Sequence, residues 1–126
     1  MDTRETVNRY YELANRGAWD EWCELFAPDQ VMDEQLAGHV EGRETLRELM
    51  RGFPRVYAEF ANEPVHVVVE GGLAAVVSHI TARTVAGAAI EADVCNYFQI
   101  EGGLIRYLSN HHDSAPFAVL GADGGS

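Results

Sequence analysis

Between Ala88 and Ile100 the chain alternates strictly. Ala88, Ile90, Ala92, Val94, Asn96, Phe98 and Ile100 form one set; Ala89, Glu91, Asp93, Cys95, Tyr97 and Gln99 form the other. A period of two marks a strand with one buried face. Asn96 is the only polar member of the apolar set. Burying an amide without partners costs about 1–3 kcal/mol, so Asn96 is expected to meet polar groups or a ligand. The inner side of this sheet therefore reads as a pocket rather than a sealed core.

The flanking segments extend the pattern. Residues 73–85 run into 88–100 through Ala86-Gly87, which suits a two-residue hairpin turn. Pairing Val85 with Ala88 sets His79 opposite Val94, Thr81 opposite Ala92 and Val77 opposite Asn96. Directly opposed residues share a face, so His79 and Thr81 join Asn96 on the buried side. A slip of one residue would move them all to the other face. Beyond Glu101-Gly102-Gly103, a three-residue loop pairs Ile100 with Leu104, Val94 with Asn110 and Ala92 with His112. Leu108, Asn110 and His112 then point inward. A two-residue loop selects Ser109, His111 and Asp113 instead.

The first half of the chain reads as helical. Asp2 or Thr3 can cap a helix, with Glu5 at capping-box spacing from Asp2. Val7, Tyr10, Tyr11 and Ala14 follow helical spacing, and Gly17 stops the run. A second short helix carries Trp19, Trp22, Cys23, Leu25 and Phe26 up to Pro28, and residues 30–41 are irregular or extended. A third helix starts near Gly42-Arg43-Glu44, carries Leu46, Leu49, Met50 and Phe53, and breaks at Pro54. A further turn or short helix includes Val56, Tyr57 and Phe60. Strands are expected at 64–70, 73–85, 88–100 and 104–113. This order predicts an α+β fold, a cone-shaped α+β barrel with three N-terminal helices on a curved, mostly antiparallel sheet. Residues 1–117 form the single domain, and 118–126, ending in Gly121-Ala122-Asp123-Gly124-Gly125-Ser126, a flexible tail.

A formal net charge of −11 argues against nucleic acid and anionic membrane surfaces as partners. No segment approaches the ~20 apolar residues of a membrane span, and Met1–Glu5 lacks the apolar core of a signal peptide. Cys23 and Cys95 have neither metal spacing nor a CxxC arrangement, so a cytoplasmic location is the expectation. There is no GxSxG, P-loop or GxGxxG pattern.

Three motifs carry a resemblance over roughly residues 3–117. They are Arg9-Tyr10-Tyr11-Glu12-Leu13 followed by Asn15-Arg16-Gly17-Ala18-Trp19-Asp20; Phe26-Ala27-Pro28-Asp29 with Val31-Met32-Asp33 and Gly42-Arg43-Glu44; and Phe98-Gln99-Ile100 with Gly103-Leu104-Ile105 and His112-Asp113. Their order and spacing resemble the nuclear transport factor 2-like superfamily, and within it the SnoaL-like and ketosteroid isomerase-like enzymes. The resemblance implies a cofactor-independent acid–base enzyme acting on a small hydrophobic carbonyl compound, as an isomerase or aldol-type polyketide cyclase. It sets Asp33 at the general base, Tyr10 at the phenol of the oxyanion hole, and Asn96 where ketosteroid isomerases carry a protonated carboxylic acid. An amide there donates a hydrogen bond but does not titrate. The handling of proton transfer by two carboxyl groups of unequal pKa is the known logic of those isomerases. Epoxide-hydrolysing members use two pocket carboxylates and an Arg, where this chain has Asn96, Asn110 and Val94. Dehydratase members use pocket histidines with Asn and Tyr, similar in type to His79, His112, Asn110 and Tyr10.

The candidate catalytic residues are therefore Asp33, His79 and His112, with Tyr10, Thr81, Asn96, Asn110 and Phe98 binding substrate. A carboxylate such as Asp33 either caps nearby backbone amides or, inside an apolar cone, serves as a base. His111 and Asp113 share a face but lack a third ligand, so no metal is expected, and no cofactor. The expected partner is a small hydrophobic molecule, and the superfamily's habit of pairing across the outer sheet face implies a homodimer. Two alternatives stand beside the isomerase or cyclase: a lyase using the histidines, and a non-catalytic binder of a small hydrophobic ligand.

Overall fold

In the computed structural model, which describes residues 1–120, Asp2 caps the first helix, α1 (Thr3–Arg16). The Asp2 carboxylate accepts the Glu5 N–H at 2.8 Å, the Glu5 side chain reaches back to the Asp2 amide, and Gly17 closes the far end at φ 69°. The apolar stripe of α1 is buried, with Val7, Tyr10, Tyr11, Leu13 and Ala14 all facing the core. Helix α2 (Trp19–Cys23) is shorter than the sequence suggested. Leu25 and Phe26 lie outside it, and Phe26–Glu34 forms strand β1. Pro28 fits there because pairing of β1 is interrupted between Phe26 and Val31, where a missing N–H costs no ladder bond.

β1 turns back into β2 (Gly38–Glu41), so the stretch expected to be irregular or extended is a hairpin of two strands. Helices α3 (Arg43–Arg51) and α4 (Phe53–Val56) follow. Four long strands come next: β3 (Tyr57–Glu70), β4 (Leu73–Thr84), β5 (Ala89–Glu101) and β6 (Leu104–His112). β3 starts seven residues before the expected 64 and pairs with β4 from Tyr57↔Thr84 to Glu70↔Leu73, with register shifts between Tyr57 and Glu59 and between Pro64 and His66. The six strands make one sheet in the order β2-β1-β6-β5-β4-β3. All neighbours are antiparallel except β1 and β6, which run parallel. The fold is thus the expected α+β cone, with one helix more, the four-residue α4.

The β4–β5 register differs from the expectation by one residue. Ser78 faces Val94, Val76 faces Asn96, His79 faces Asp93 and Thr81 faces Glu91. The turn is a three-residue Val85-Ala86-Gly87 loop with Gly87 at φ 98°; Thr84 bonds both Ala88 and Gly87 through its backbone, and its hydroxyl accepts the Ala88 N–H. His79 and Thr81 consequently lie on the outer face, and Ser78, fully buried, takes the inner position. The β5–β6 turn is the two-residue Gly102-Gly103, both with positive φ. Arg106 then bulges out between Ile105 and Tyr107, which restores the inward set Leu108, Asn110 and His112. The face is the expected one, but Asn110 pairs with Asn96 and His112 with Val94.

One core cluster gathers Tyr10, Tyr11, Trp22, Phe26, Leu46, Phe98 and Leu108 under α1 and α2. A second joins Ile80, Ile90, Val94 and Phe117, with Tyr57, Phe60, Val119 and Leu120 packed against it. A 3₁₀ turn (Ala115–Phe117) leads into residues 118–120, the start of the expected 118–126 tail, which are helical, with Val119 and Leu120 seated on this cluster; the rest of the expected tail, residues 121–126, lies outside the described ones. Among the described residues no helix is long and apolar enough to cross a membrane.

Candidate active site

A cavity of about 470 Å³ draws its walls from both clusters. That is the size of sites that take small organic molecules. The walls are mostly apolar, with Trp19, Met32, Leu46, Met50, Phe53, Phe60 and Val94 among them. Seven polar side chains interrupt them: Tyr10, Glu34, Tyr57, Asn62, Asn96, Asn110 and His112.

Glu34 and His112 form a hydrogen-bonded pair in the cavity wall. β1 and β6 run parallel with Glu34 beside Asn110, and both point inward with Met32 and Leu108. Glu34 Oε1 lies 2.9 Å from His112 Nε2; the side chains are 17% and 3% exposed. Glu34 Oε2 accepts the backbone N–H groups of Leu36 and Ala37, each at 2.7 Å. Oε2 is therefore occupied twice, and Oε1 keeps one lone pair after His112. His112 is held on three sides. Its Nδ1 meets the Asp113 carbonyl at 3.0 Å, its backbone N–H donates to Gln35 Oε1, and its ring packs on Phe117.

Asn96 sits at the centre of the second group. Its Oδ1 accepts the Tyr11 hydroxyl at 2.6 Å and the Ser78 hydroxyl at 3.1 Å. Its Nδ2 donates to Asn110 Oδ1 at 2.6 Å. The buried amide is thus satisfied on the apolar face by protein partners. Tyr10 lines the cavity but takes no part in these bonds. Burial, helped by the Glu34 carboxylate, pushes the Tyr10 phenol far above its ordinary range; Tyr57 is raised by the same two causes in the same order. Both hydroxyls therefore stay protonated and can donate. Two polar atoms of the cavity residues are buried without partners among the described residues: Trp22 Nε1 and Asn62 Oδ1.

The other candidates lie elsewhere. Asp33 follows Met32 and precedes Glu34, so it points to the outer face. There its Oδ1 is 2.6 Å from His39 Nδ1 and its Oδ2 accepts the Tyr107 hydroxyl at 2.7 Å; its side chain is 49% exposed. The His39 bond first, and then the Tyr107 bond, hold the Asp33 carboxyl below the usual carboxylate range, the reverse of what a base in an apolar cone needs. His79 is clamped on the outer surface between Asp93 (2.7 Å) and Glu91 (2.9 Å), which raise its pKa. Thr81 is exposed beside Glu91. Phe98 is fully buried, edge-on to Tyr10 and Tyr11, and supports the cavity from below without lining it. The cavity thus brings together Tyr10, Asn96, Asn110 and His112 from the sequence candidates and adds Glu34, Tyr57 and Asn62. Tyr11 and Ser78 stand behind them. The alternation Met32–Asp33–Glu34 carries the signal for Glu34: whichever face takes Met32 takes Glu34 two residues on.

The sequence matches the SnoaL-like domain family over residues 7–108. The chain belongs to this family. No curated protein matches this chain in sequence. Among solved structures it is similar to an NTF2-like protein of unknown function from Burkholderia pseudomallei, at 20% identity and TM-score 0.86, covering 95% of this chain and 97% of that one. TerC, co-crystallised with polyporic acid, is 16% identical with TM-score 0.82, covering 94% and 96% of the two chains. A proposed SnoaL-like polyketide cyclase from Jannaschia is 20% identical with TM-score 0.77, covering 95% and 90%. Likeness at this identity shows a shared fold for the SnoaL-like domain, within which many functions occur.

Proposed function

We propose that this SnoaL-like domain is a cofactor-independent acid–base enzyme that isomerises or cyclises a small, largely apolar carbonyl compound. One observation carries the reading: the Glu34–His112 pair and the Asn110 amide open on the same apolar cavity, on neighbouring strands. In this reading Glu34 Oε1 takes a proton from the carbon next to the carbonyl, using its remaining lone pair. The electron pair moves onto the carbonyl oxygen, where the Asn110 N–H and the Tyr10 hydroxyl stabilise the enolate. His112 holds the carboxylate in place. With a β,γ-unsaturated ketone the anion is a dienolate, and Glu34 returns the proton to its γ-carbon as the double bond shifts; with a dicarbonyl compound the enolate carbon attacks the second carbonyl, whose oxygen takes that proton. A positioned general base contributes about 10²–10⁴-fold. The neighbour named as a proposed polyketide cyclase and the one crystallised with polyporic acid support a ligand in this cavity.

Deuterium exchange at the α-carbon of 2-tetralone, followed by proton NMR in D₂O, tests this. Wild-type protein should accelerate exchange, Glu34→Gln should abolish about 10²-fold or more of the acceleration, and Asp33→Asn should leave it unchanged. Exchange no faster than buffer, or insensitive to Glu34, rules the mechanism out. Saturable binding of the ketone without exchange would instead identify a carrier. A dehydration is the nearest chemical variant, favoured by the position of His112 at the cavity wall; its mark would be loss of activity in His112→Gln on a β-hydroxy ketone while α-exchange persists.

A further inference from the structure

We propose that Tyr11 and Ser78, which do not line the cavity, fix the polarity of the Asn96–Asn110 pair, so that the cavity meets an N–H donor of Asn110 and selects ligands whose polar end is an acceptor. The inference rests on the cavity being the ligand site of the reading above.

Two paired amides have two arrangements. In one, Asn96 Nδ2 donates to Asn110 Oδ1, and the Asn110 Nδ2 group is left to the cavity. In the other, both amides are turned over: Asn110 Nδ2 donates to Asn96 Oδ1, and an Asn110 oxygen faces the ligand. Steric shape barely separates them, because the oxygen and nitrogen of an amide are nearly the same size. The hydrogen-bond network does separate them. Tyr11 and Ser78 are 3% and 0% exposed, and each hydroxyl has one proton to place. Both give it to Asn96 Oδ1, at 2.6 and 3.1 Å. Turning Asn96 over would aim its own N–H groups at the two hydroxyl oxygens and leave both hydroxyl protons without that acceptor, in a wall built by Tyr10 and Phe98 rings. Buried unpaired donors are costly, so the first arrangement prevails. Asn110 then has its oxygen engaged at 2.6 Å and its Nδ2 turned to the cavity it lines. Tyr11 and Ser78 act through two other residues, and are positioning residues for the polar end of the substrate.

The chemistry this selects is a carbonyl, enolate or phenolate oxygen rather than an N–H or another pure donor. A matched pair of bicyclic probes reads it: 1-indanone, whose only polar group is an acceptor, and indole, whose only polar group is a donor. Their dissociation constants are measured by NMR titration against wild-type protein, the Tyr11→Phe, Ser78→Ala double variant and Asn110→Asp; the same spectra report whether each variant is folded. Loss of a structural prop weakens both probes together and leaves their ratio unchanged. The proposal expects the indanone-to-indole affinity ratio to fall on the order of tenfold in the double variant, where Asn96 is free to turn. It expects a fall at least as large in Asn110→Asp, where only oxygens face the ligand. If the double variant does not fold, Tyr11→Phe and Ser78→Ala taken singly should each lower the ratio in a smaller step. A ratio constant within about twofold across the folded variants, or failure of wild-type protein to bind either probe, overturns the proposal. Ratio changes without α-proton exchange would sink the catalytic reading and keep this one; exchange with a constant ratio would do the opposite.

Discussion

Replacing Asn96 with Leu keeps the branching at Cγ and removes every polar contact the amide makes. Two of its partners, the Tyr11 and Ser78 hydroxyls, are then left buried with protons unplaced. A buried donor deprived of its partner costs about 1–3 kcal/mol, so the pair costs about 2–6 kcal/mol. Asn110 borders the cavity, where water can replace its lost bond at small cost. The added apolar surface of Leu returns about 1–2 kcal/mol. The net expectation is about 0–5 kcal/mol of destabilisation, centred on about 2.5, below the ~5–15 kcal/mol that a domain of this kind possesses. The same substitution in a Tyr11→Phe, Ser78→Ala background should be close to neutral, because no hydroxyl remains to be orphaned and the amide removed has already lost two of its partners. Urea unfolding of the four proteins measures both steps, with constant m-values confirming that one transition is compared throughout. Additivity, an Asn96→Leu cost equal in both backgrounds within about 0.5 kcal/mol, would refute the assignment of Asn96 as common acceptor of the two hydroxyls.

Four further outcomes are expected. Asp33 has a depressed pKa, so its contribution to stability is present above the ordinary Asp value of about 3.9 and is lost as pH falls through the folded value; His39→Gln should raise its NMR titration midpoint and leave ligand binding in the cavity unchanged. His79 is shifted the other way: its contribution is full below the ordinary His value of about 6.5 and disappears as pH rises through the folded value, and Asp93→Asn should lower its midpoint more than Glu91→Gln does. Gly72→Ala should lower the melting temperature more than Gly71→Ala. A Cβ on Gly72 would run into the Ile100 carbonyl beside the 2.7 Å bond from Ile100 N–H to the Gly72 carbonyl, whereas Gly71 has open space and only a positive φ of 57° to strain, about 1–2 kcal/mol. Asn62→Leu should leave the melting temperature unchanged or raise it, since it deletes a buried oxygen that has no partner among the described residues; a drop of more than about 4 °C would show that Asn62 is satisfied in the folded protein.

The fold was largely legible because its strongest signals are periodic. The alternation in 88–100 and the helical stripe of Tyr10, Tyr11 and Ala14 depend on side-chain spacing alone, and each produced an element in its expected place. The site was legible only where its register did not depend on a turn. Asn96 lies inside one strand and needed no partner to be placed. His79 and Thr81 were placed through the 85–88 turn, and one extra loop residue moved both to solvent and brought Ser78 inward. At the next turn a shorter loop and the Arg106 bulge compensated, so Asn110 and His112 kept their face. Asp33 and Glu34 are adjacent, and the choice between them rests on the phase of β1. The resemblance to ketosteroid isomerases favoured Asp33. The parallel pairing of β1 with β6 puts Glu34 inside.

That parallel pairing also sets when the acid–base pair can exist. Glu34 and His112 are 78 positions apart, and the ladder that joins their strands closes a loop of comparable length. Such long-range closure carries a large entropic cost and belongs to late, slow steps of folding, whereas the β3–β4 and β4–β5 hairpins form from local contacts. A chain halted before this closure already holds Asn96 and Ser78 on a formed hairpin but has no carboxylate–imidazole pair. The pair, and with it the activity proposed above, then forms at the end of folding, in step with the joining of the two halves. A ligand touching both β1 and β6 would act as a staple across that seam and slow its opening more than it slows the fraying of β3.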